Sequence, residues 1–179
     1  VPDGSTVTTE DGTEITIGEN NGGTTVNNDG SINLPDGGII EVESSDGETT
    51  TITAPTGGGT VSVDENGSIN IPEGGTVQTG SGIETTLPSG GSVDPETGVV
   101  TPNEGGSVAV EDADGNTTTI TPPGGGSVTP NDDGTVTVPD GSTVTTEDGT
   151  EITIGENNGG TTVNNDGSIN LPDGGIIEV

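Results

Sequence analysis

The sequence predicts an all-β, repetitive fold, and three observations carry that expectation. Valine and isoleucine alternate with polar residues, as in Val61-Ser62-Val63 and Ile69-Asn70-Ile71. That spacing places apolar side chains on one face of a strand. Turns rich in Gly, Pro and Asp break the alternation so often that no segment can hold a helix. The same unit then restarts near Val7, Val26, Ile40, Val61, Val77, Val93, Val108 and Val128. A unit of roughly 17 residues cannot bury its own apolar face and must stack on its neighbours.

In chain order, each unit is a short strand, a turn, a second strand and another turn. The segment from Gly58 to Gly75 shows all four parts. Val61 and Val63 share one face of its first strand, and Ile69 and Ile71 share one face of its second, while Thr60, Ser62 and Asn70 take the other. The turns fall into two classes. Asp11-Gly12, Asp29-Gly30, Asp46-Gly47, Asn66-Gly67, Asp114-Gly115 and Asp133-Gly134 pair an Asx side chain with a glycine suited to positive φ. Pro35-Asp36-Gly37-Gly38, Pro72-Glu73-Gly74-Gly75, Pro88-Ser89-Gly90-Gly91 and Pro139-Asp140-Gly141 instead fix φ and remove a ladder donor, which ends a strand.

A longer period contains the short one. Residues 1–42 recur identically as 138–179, an offset of 137 residues. The chain therefore divides into one large repeat of eight β units, 1–137, and the start of the next, 138–179. The first residue is Val, and the second copy stops in mid-pattern at Val179, so the expectation is a window on a longer tandem array.

Two architectures satisfy the pattern. The favoured one is a β-solenoid of two-strand coils, about 17 residues each, with Val and Ile of two parallel faces meeting in a thin core. The alternative is an antiparallel meander of hairpin repeats, pairing between layers or subunits. A solenoid buries its apolar face within one chain, which a single meander sheet does not. At about 4.8 Å per strand, eight coils advance ~38 Å per large repeat.

Composition limits the chemistry. The 179 residues include no Lys, Arg, His, Cys or aromatic residue, and the formal charge is −31. Without cations there is no phosphate clamp for nucleic acid and no basic patch for anionic lipid. Without Cys there is neither a disulfide nor a thiolate site. No apolar run reaches membrane-spanning length, and no signal peptide is present. Low hydrophobicity with high charge is also the composition of disorder, although disordered chains have no reason to keep a strand period. Paired carboxylates could serve a glycosidase, but no sugar platform accompanies them, and no enzyme activity is expected.

Carboxylates are the only ionisable side chains. Stacked units bring them close, and each like-charged pair at ~5 Å costs about 1 kcal/mol in water. Either salt water screens them or Ca²⁺ bridges them through oxygen ligands. Glu111, Asp112 and Asp114 form the best candidate calcium cluster, with Asp132, Asp133, Asp64 and Glu65 as further candidates. The distal Glu of an EF-hand loop is missing after Asp114. Thr-x-Thr pairs at Thr6/Thr8, Thr51/Thr53, Thr119/Thr121 and Thr135/Thr137 could line a flat ice-matching face, or be ordinary solvent-facing threonines. Asn66-Gly67-Ser68 and Asn116-Thr117-Thr118 are glycan acceptor sequences.

With its Gly/Asp turns between short strands, the chain resembles the calcium-binding nonapeptide β-rolls of secreted bacterial proteins. Gly22-Gly23-Thr24-Thr25 and Gly74-Gly75-Thr76-Val77 depart from the Gly-Gly-x-Gly-x-Asp turn of that family. It is similar in composition to the repeat stalks of bacterial surface adhesins and biofilm fibres. The resemblance implies an extracellular or cell-surface filament that self-associates into a longer array. Such a filament serves adhesion or matrix scaffolding, with cations or glycans as partners. The alternatives are an adhesin module that grips a ligand, ice or another surface, and a disordered acidic spacer.

Overall fold

The computed structural model describes residues 1–10, 12–19, 22–112, 114–156, 160–172 and 177–178. Its strands come as hairpins. β1 (Thr6–Thr8) pairs with β2 (Glu14–Ile17), β3 (Thr25–Val26) with β4 (Ile32–Leu34), and β5 (Ile39–Glu43) with β6 (Thr49–Thr53). Next come β7 (Gly59–Val63) with β8 (Ile69–Ile71), β9 (Gly75–Gln78) with β10 (Glu84–Leu87), and β11 (Gly91–Val93) with β12 (Val100–Pro102). β13 (Val108–Glu111) pairs with β14 (Thr117–Thr121), and β15 (Thr129–Pro130) with β16 (Thr135–Thr137). β17 (Thr143–Thr145) and β18 (Glu151–Ile154), then β19 (Thr162–Asn164) and β20 (Ile169–Asn170), repeat the opening pairs, and β21 (Ile177–Glu178) comes last.

Successive hairpins enter alternate sheets. The first sheet runs β1-β2-β5-β6-β9-β10-β13-β14-β17-β18-β21. The second takes the intervening hairpins, β3-β4-β7-β8-β11-β12 and then β15-β16-β19-β20. Its two blocks are joined at Val100 and Val128, each N–H donating to the other's carbonyl at 2.8 Å. The two sheets share one core cluster, in which Ile15, Ile17, Ile40 and Ile52 of the first sheet lie with Ile32, Val61, Ile69 and Val93 of the second.

The fold is all-β, as the period of two predicts. The solenoid of two-strand coils is corrected: every strand pairing among the described residues is antiparallel, and each unit of about 17 residues is a hairpin inside one sheet. The reason lies in the turns. A solenoid needs every corner to carry the chain to the other sheet. Here only alternate corners do so, most of them carrying Pro. The others, most of them Asx-Gly, reverse the chain within its own sheet through a turn closed by a positive-φ glycine. In the β13–β14 hairpin, for example, Gly115 has φ 86° and donates its N–H to the Asp112 carbonyl at 3.1 Å. The Asp112 N–H donates to the Asn116 carbonyl at 3.0 Å. Asp11, of the first such turn, lies outside the described residues.

Alternation then buries the aliphatic face of each sheet against the other. Across the first sheet, Ile17, Ile40, Ile52 and Val77 oppose one another in an unbroken row. In the second, Ile69, Val93, Val100 and Val128 do the same. Nearly all these side chains are fully buried, each contributing about 1.5–3 kcal/mol. A core without aromatic residues holds because the inner layer is thin and the strands are short.

The large repeat closes in phase. Thr6↔Thr16, Val7↔Ile15 and Thr8↔Glu14 reappear 137 residues on as Thr143↔Thr153, Val144↔Ile152 and Thr145↔Glu151. The pairing of β2 with β5 returns in the same way as that of β18 with β21. Eight hairpins is an even number, so the chain re-enters the sheet it started in.

Candidate functional site

Each hairpin leaves from and returns to a crossover, so the hairpin tips of both sheets gather along one rim and the crossovers along the other. Contacts between distant tips bear this out. The Ser45 N–H donates to Glu96 Oε1 at 2.9 Å and its hydroxyl to Oε2 at 2.5 Å, joining the β5–β6 tip to the β11–β12 tip across the sandwich. The Thr118 hydroxyl likewise donates to the Asn165 carbonyl at 3.2 Å, between β14 and the β19–β20 tip.

The tip rim is strongly acidic, and its aspartates serve the turns. Asp29 Oδ1 accepts the Ser31 N–H at 3.0 Å and its hydroxyl at 2.6 Å. Asp133 does the same with Thr135 (3.1 and 2.6 Å), and Asp166 with Ser168 (2.9 and 2.6 Å). Asp148 takes the Thr146 hydroxyl and the Thr150 N–H, and Asp46 takes the Ser44 hydroxyl. Where position three of the turn is Asn66, the acceptor moves to Asp64, which takes the Asn66 and Ser68 N–H groups. Asp112 accepts from the Asp114 N–H, the Asn116 N–H and Asn116 Nδ2. These donors hold the carboxyls of Asp29, Asp46, Asp112, Asp133, Asp148 and Asp166 below the ordinary aspartate range, the side-chain donor weighing most in each. At Asp166 the nearby Asp112 carboxylate pushes the other way.

The predicted calcium residues all lie on this rim, but in three separate hairpins. Asp64 and Glu65 sit in the β7–β8 turn; Asp132 and Asp133 in the β15–β16 turn. Glu111 ends β13, and Asp112 and Asp114 occupy the turn that follows. Asp64, Asp112 and Asp133 spend carboxylate oxygens on turn N–H groups. Among the described residues no three acidic groups come together as a metal-holding cluster. Open clefts lie between tips of the two sheets. One of about 550 Å³ is lined by Glu48, Thr79 and Asp132, and another of about 680 Å³ by Val7, Val26 and Val63.

The outer faces differ in chemistry. On the first sheet, Thr53, Thr76, Thr86, Ala109, Thr119 and Thr145 form one cross-strand row. Beside it run Thr16, Glu41, Thr51, Gln78 and Glu84. The second sheet shows only Asn, Ser and Thr there, tied by bonds such as Thr60 Oγ1 to Asn33 Oδ1 at 2.7 Å and Thr101 Oγ1 with Ser127 Oγ at 2.6 Å. The Thr-x-Thr pairs therefore do not share a face. Thr6/Thr8, Thr51/Thr53 and Thr119/Thr121 belong to the first sheet, whereas Thr135/Thr137 belongs to the second, with Thr135 buried. Thr76 and Thr86 join the row unannounced, since the other outward residue of each strand is Gln78 or Glu84 and no Thr-x-Thr pair marks them, whereas Thr143 and Thr145 repeat Thr6 and Thr8. Both glycan acceptor residues, Asn66 and Asn116, lie exposed in tips.

No protein-family model matches the chain, and no curated protein matches it in sequence.

Proposed function

We propose that the chain is an extracellular structural filament or surface stalk, built from tandem acidic β repeats and serving adhesion or matrix scaffolding. One observation carries this reading: the second copy extends both sheets of the first in the same register, so nothing in the repeat limits how many copies can follow. Each 137-residue copy puts eight strands into each sheet and advances the rod ~38 Å. The mechanism is mechanical. A continuous backbone ladder carries load along the sheets, and the acidic tips keep neighbouring rods apart and hydrated. The absence of Lys and Arg removes the cleavage sites of trypsin-like proteases, which suits life outside a cell.

The test is length. Chains carrying one, two and three further copies of residues 1–137, studied by small-angle scattering or electron microscopy, should lengthen by ~38 Å per copy at constant cross-section. A maximum dimension that grows as a coil, or not at all, would defeat the filament. A second reading, an ice- or surface-gripping adhesin module, is favoured by the threonine row of the first sheet. Thermal hysteresis or crystal-binding assays separate it from the plain stalk.

A further inference from the structure

The carboxylates are shared unequally between the two outer faces. On the first sheet Glu14, Glu41, Glu43, Glu84, Glu111 and Glu151 stand outward and exposed. Among the described residues, no strand of the second sheet holds an acidic residue. Its outward side chains are Ser, Thr and Asn, short groups that lose less rotamer freedom on being covered than long charged ones do. They are also partnered with one another across the strands. Asn33 Nδ2 donates to Thr25 Oγ1 at 3.2 Å, Asn70 Nδ2 to Ser62 Oγ at 3.3 Å, and Asn170 Nδ2 to Thr162 Oγ1 at 3.3 Å. A polar face with donors already placed in this way loses less on leaving water than one whose groups bond only to solvent. Asp64 and Asp94, each one residue beyond the end of its strand, mark the tip-side border of the uncharged face.

We propose that the outer face of the second sheet is a pairing surface for a second copy of this chain, the same face of each meeting about a two-fold axis. Charge decides the partner. Two chains of formal charge −31 repel at every approach that sets carboxylate against carboxylate, and this face brings none into the contact. The acidic tips still hold rods apart edge to edge. With no aromatic residue in the chain, a sugar finds no ring to stack on. A flat row of small side chains instead suits sheet against sheet, at a spacing of about 10 Å. The area is graded by length. Ten described strands at ~4.8 Å, each offering about 10 Å of width, give roughly 500 Å² per partner. The roughly 1,000 Å² covered in total is the least that a specific interface needs. Each further large repeat adds eight strands to the sheet, so pairing tightens with copy number. This inference rests on the filament reading and deepens it by naming how rods meet side by side. Pairing doubles a rod's thickness and leaves its length per copy unchanged, so either can fail alone.

The experiment compares the full 179-residue chain with one extended by two further copies of residues 1–137, by sedimentation velocity and small-angle scattering at about 10 mM and about 0.5 M NaCl. Single rods are expected at low salt, where the acidic borders repel, and that is the condition in which length is read. At the higher salt the extended chain should pair and double its mass per unit length. Its dissociation constant should be at least about tenfold lower than that of the 179-residue chain. Thr60→Glu, Asn70→Glu and Ser127→Glu together, all at exposed positions of the second sheet's outer face, should weaken pairing at least about tenfold. Thr51→Glu, Gln78→Glu and Thr119→Glu, which add the same charge to the outer face of the first sheet, should leave pairing unchanged. The salt and length comparisons use the unaltered sequence, so they decide the proposal even where a variant unfolds. Chains of both lengths that stay single at the higher salt, pairing that weakens with salt, or equal loss from the two sets of substitutions would overturn it.

Discussion

Ser45 and Glu96, fifty-one residues apart, clasp the two sheets at their tips, the serine donating both its N–H and its hydroxyl to one carboxylate. In a chain without side-chain cations this is how a carboxylate is held: by uncharged donors from the opposite layer. Glu96→Ala should lower stability by about 0.5–1 kcal/mol, the net worth of an exposed hydrogen-bonded contact. Ser45→Ala keeps the backbone donor and should cost less. A double-mutant cycle on urea midpoints should show coupling between the two, and strict additivity would show that the clasp does not form in solution.

Salt should stabilise this protein. With formal charge −31 and no Lys, Arg or His, the side chains offer no ion pair for salt to weaken, only repulsion for it to screen. Adjacent tips in one sheet lie two strands apart, ~10 Å, close to the Debye length at 0.1 M salt. Raising NaCl from about 10 mM to 0.5 M at pH 7 should therefore increase Tm throughout. A flat or falling Tm would mean that the tip carboxylates do not repel across the rim.

Acid should destabilise the fold through the turn aspartates. Asp29, Asp46, Asp112, Asp133, Asp148 and Asp166 have folded-state values below the unfolded one. Their contribution is complete above the unfolded value near pH 4 and is lost as pH falls through the folded values. The urea midpoint should thus drop as the pH falls below about 4. Replacing Asp133 and Asp166 with Ala should blunt that drop, and a midpoint that does not fall on the acid side would contradict the turn-acceptor role.

Much of this architecture is legible in the sequence because the fold is local. Alternation alone places Ile15, Ile32, Val61 and Ile69 inside, and the restarts near Val7, Val26 and Val61 mark the first strands of hairpins. The two turn classes are legible too, but what each does to the chain is not. Asp114-Gly115 and Pro72-Glu73-Gly74-Gly75 both read as corners, and only the closing bonds show that one reverses within a sheet while the other crosses between sheets. A corner's residues fix its local dihedrals, whereas the destination sheet depends on which neighbour already covers the apolar face. The rim escapes sequence reading for the same reason: Ser45 meets Glu96 only because two alternating hairpins come to lie tip to tip. Asp64, Asp112 and Asp133 look like cation ligands in sequence, where the backbone amides they accept from carry no side-chain signature, and only the closed turn shows that the Asn116 amide and the Thr135 hydroxyl turn toward Asp112 and Asp133.

The last prediction contrasts two glycines required for different reasons. Gly115 has φ 86° at an open tip, so Gly115→Ala meets only the backbone penalty of the left-handed region, about 1–2 kcal/mol. Gly91 is buried in β11 between Ile71 and Pro102. A Cβ there would run into the Thr101 carbonyl oxygen and lie 2.8 Å from Pro102 Cα, both backbone atoms of the partner strand. Neither can yield without parting β11 from β12, the strand through which Val100 reaches Val128 and the second sheet stays continuous. Gly91→Ala should therefore cost about 3 kcal/mol, the upper range for overpacking. It should also speed amide exchange at Val100 and Val128, which Gly115→Ala should leave unchanged. Equal costs, or exchange undisturbed at that junction, would show that β11 and β12 are not pressed together as the structure has them.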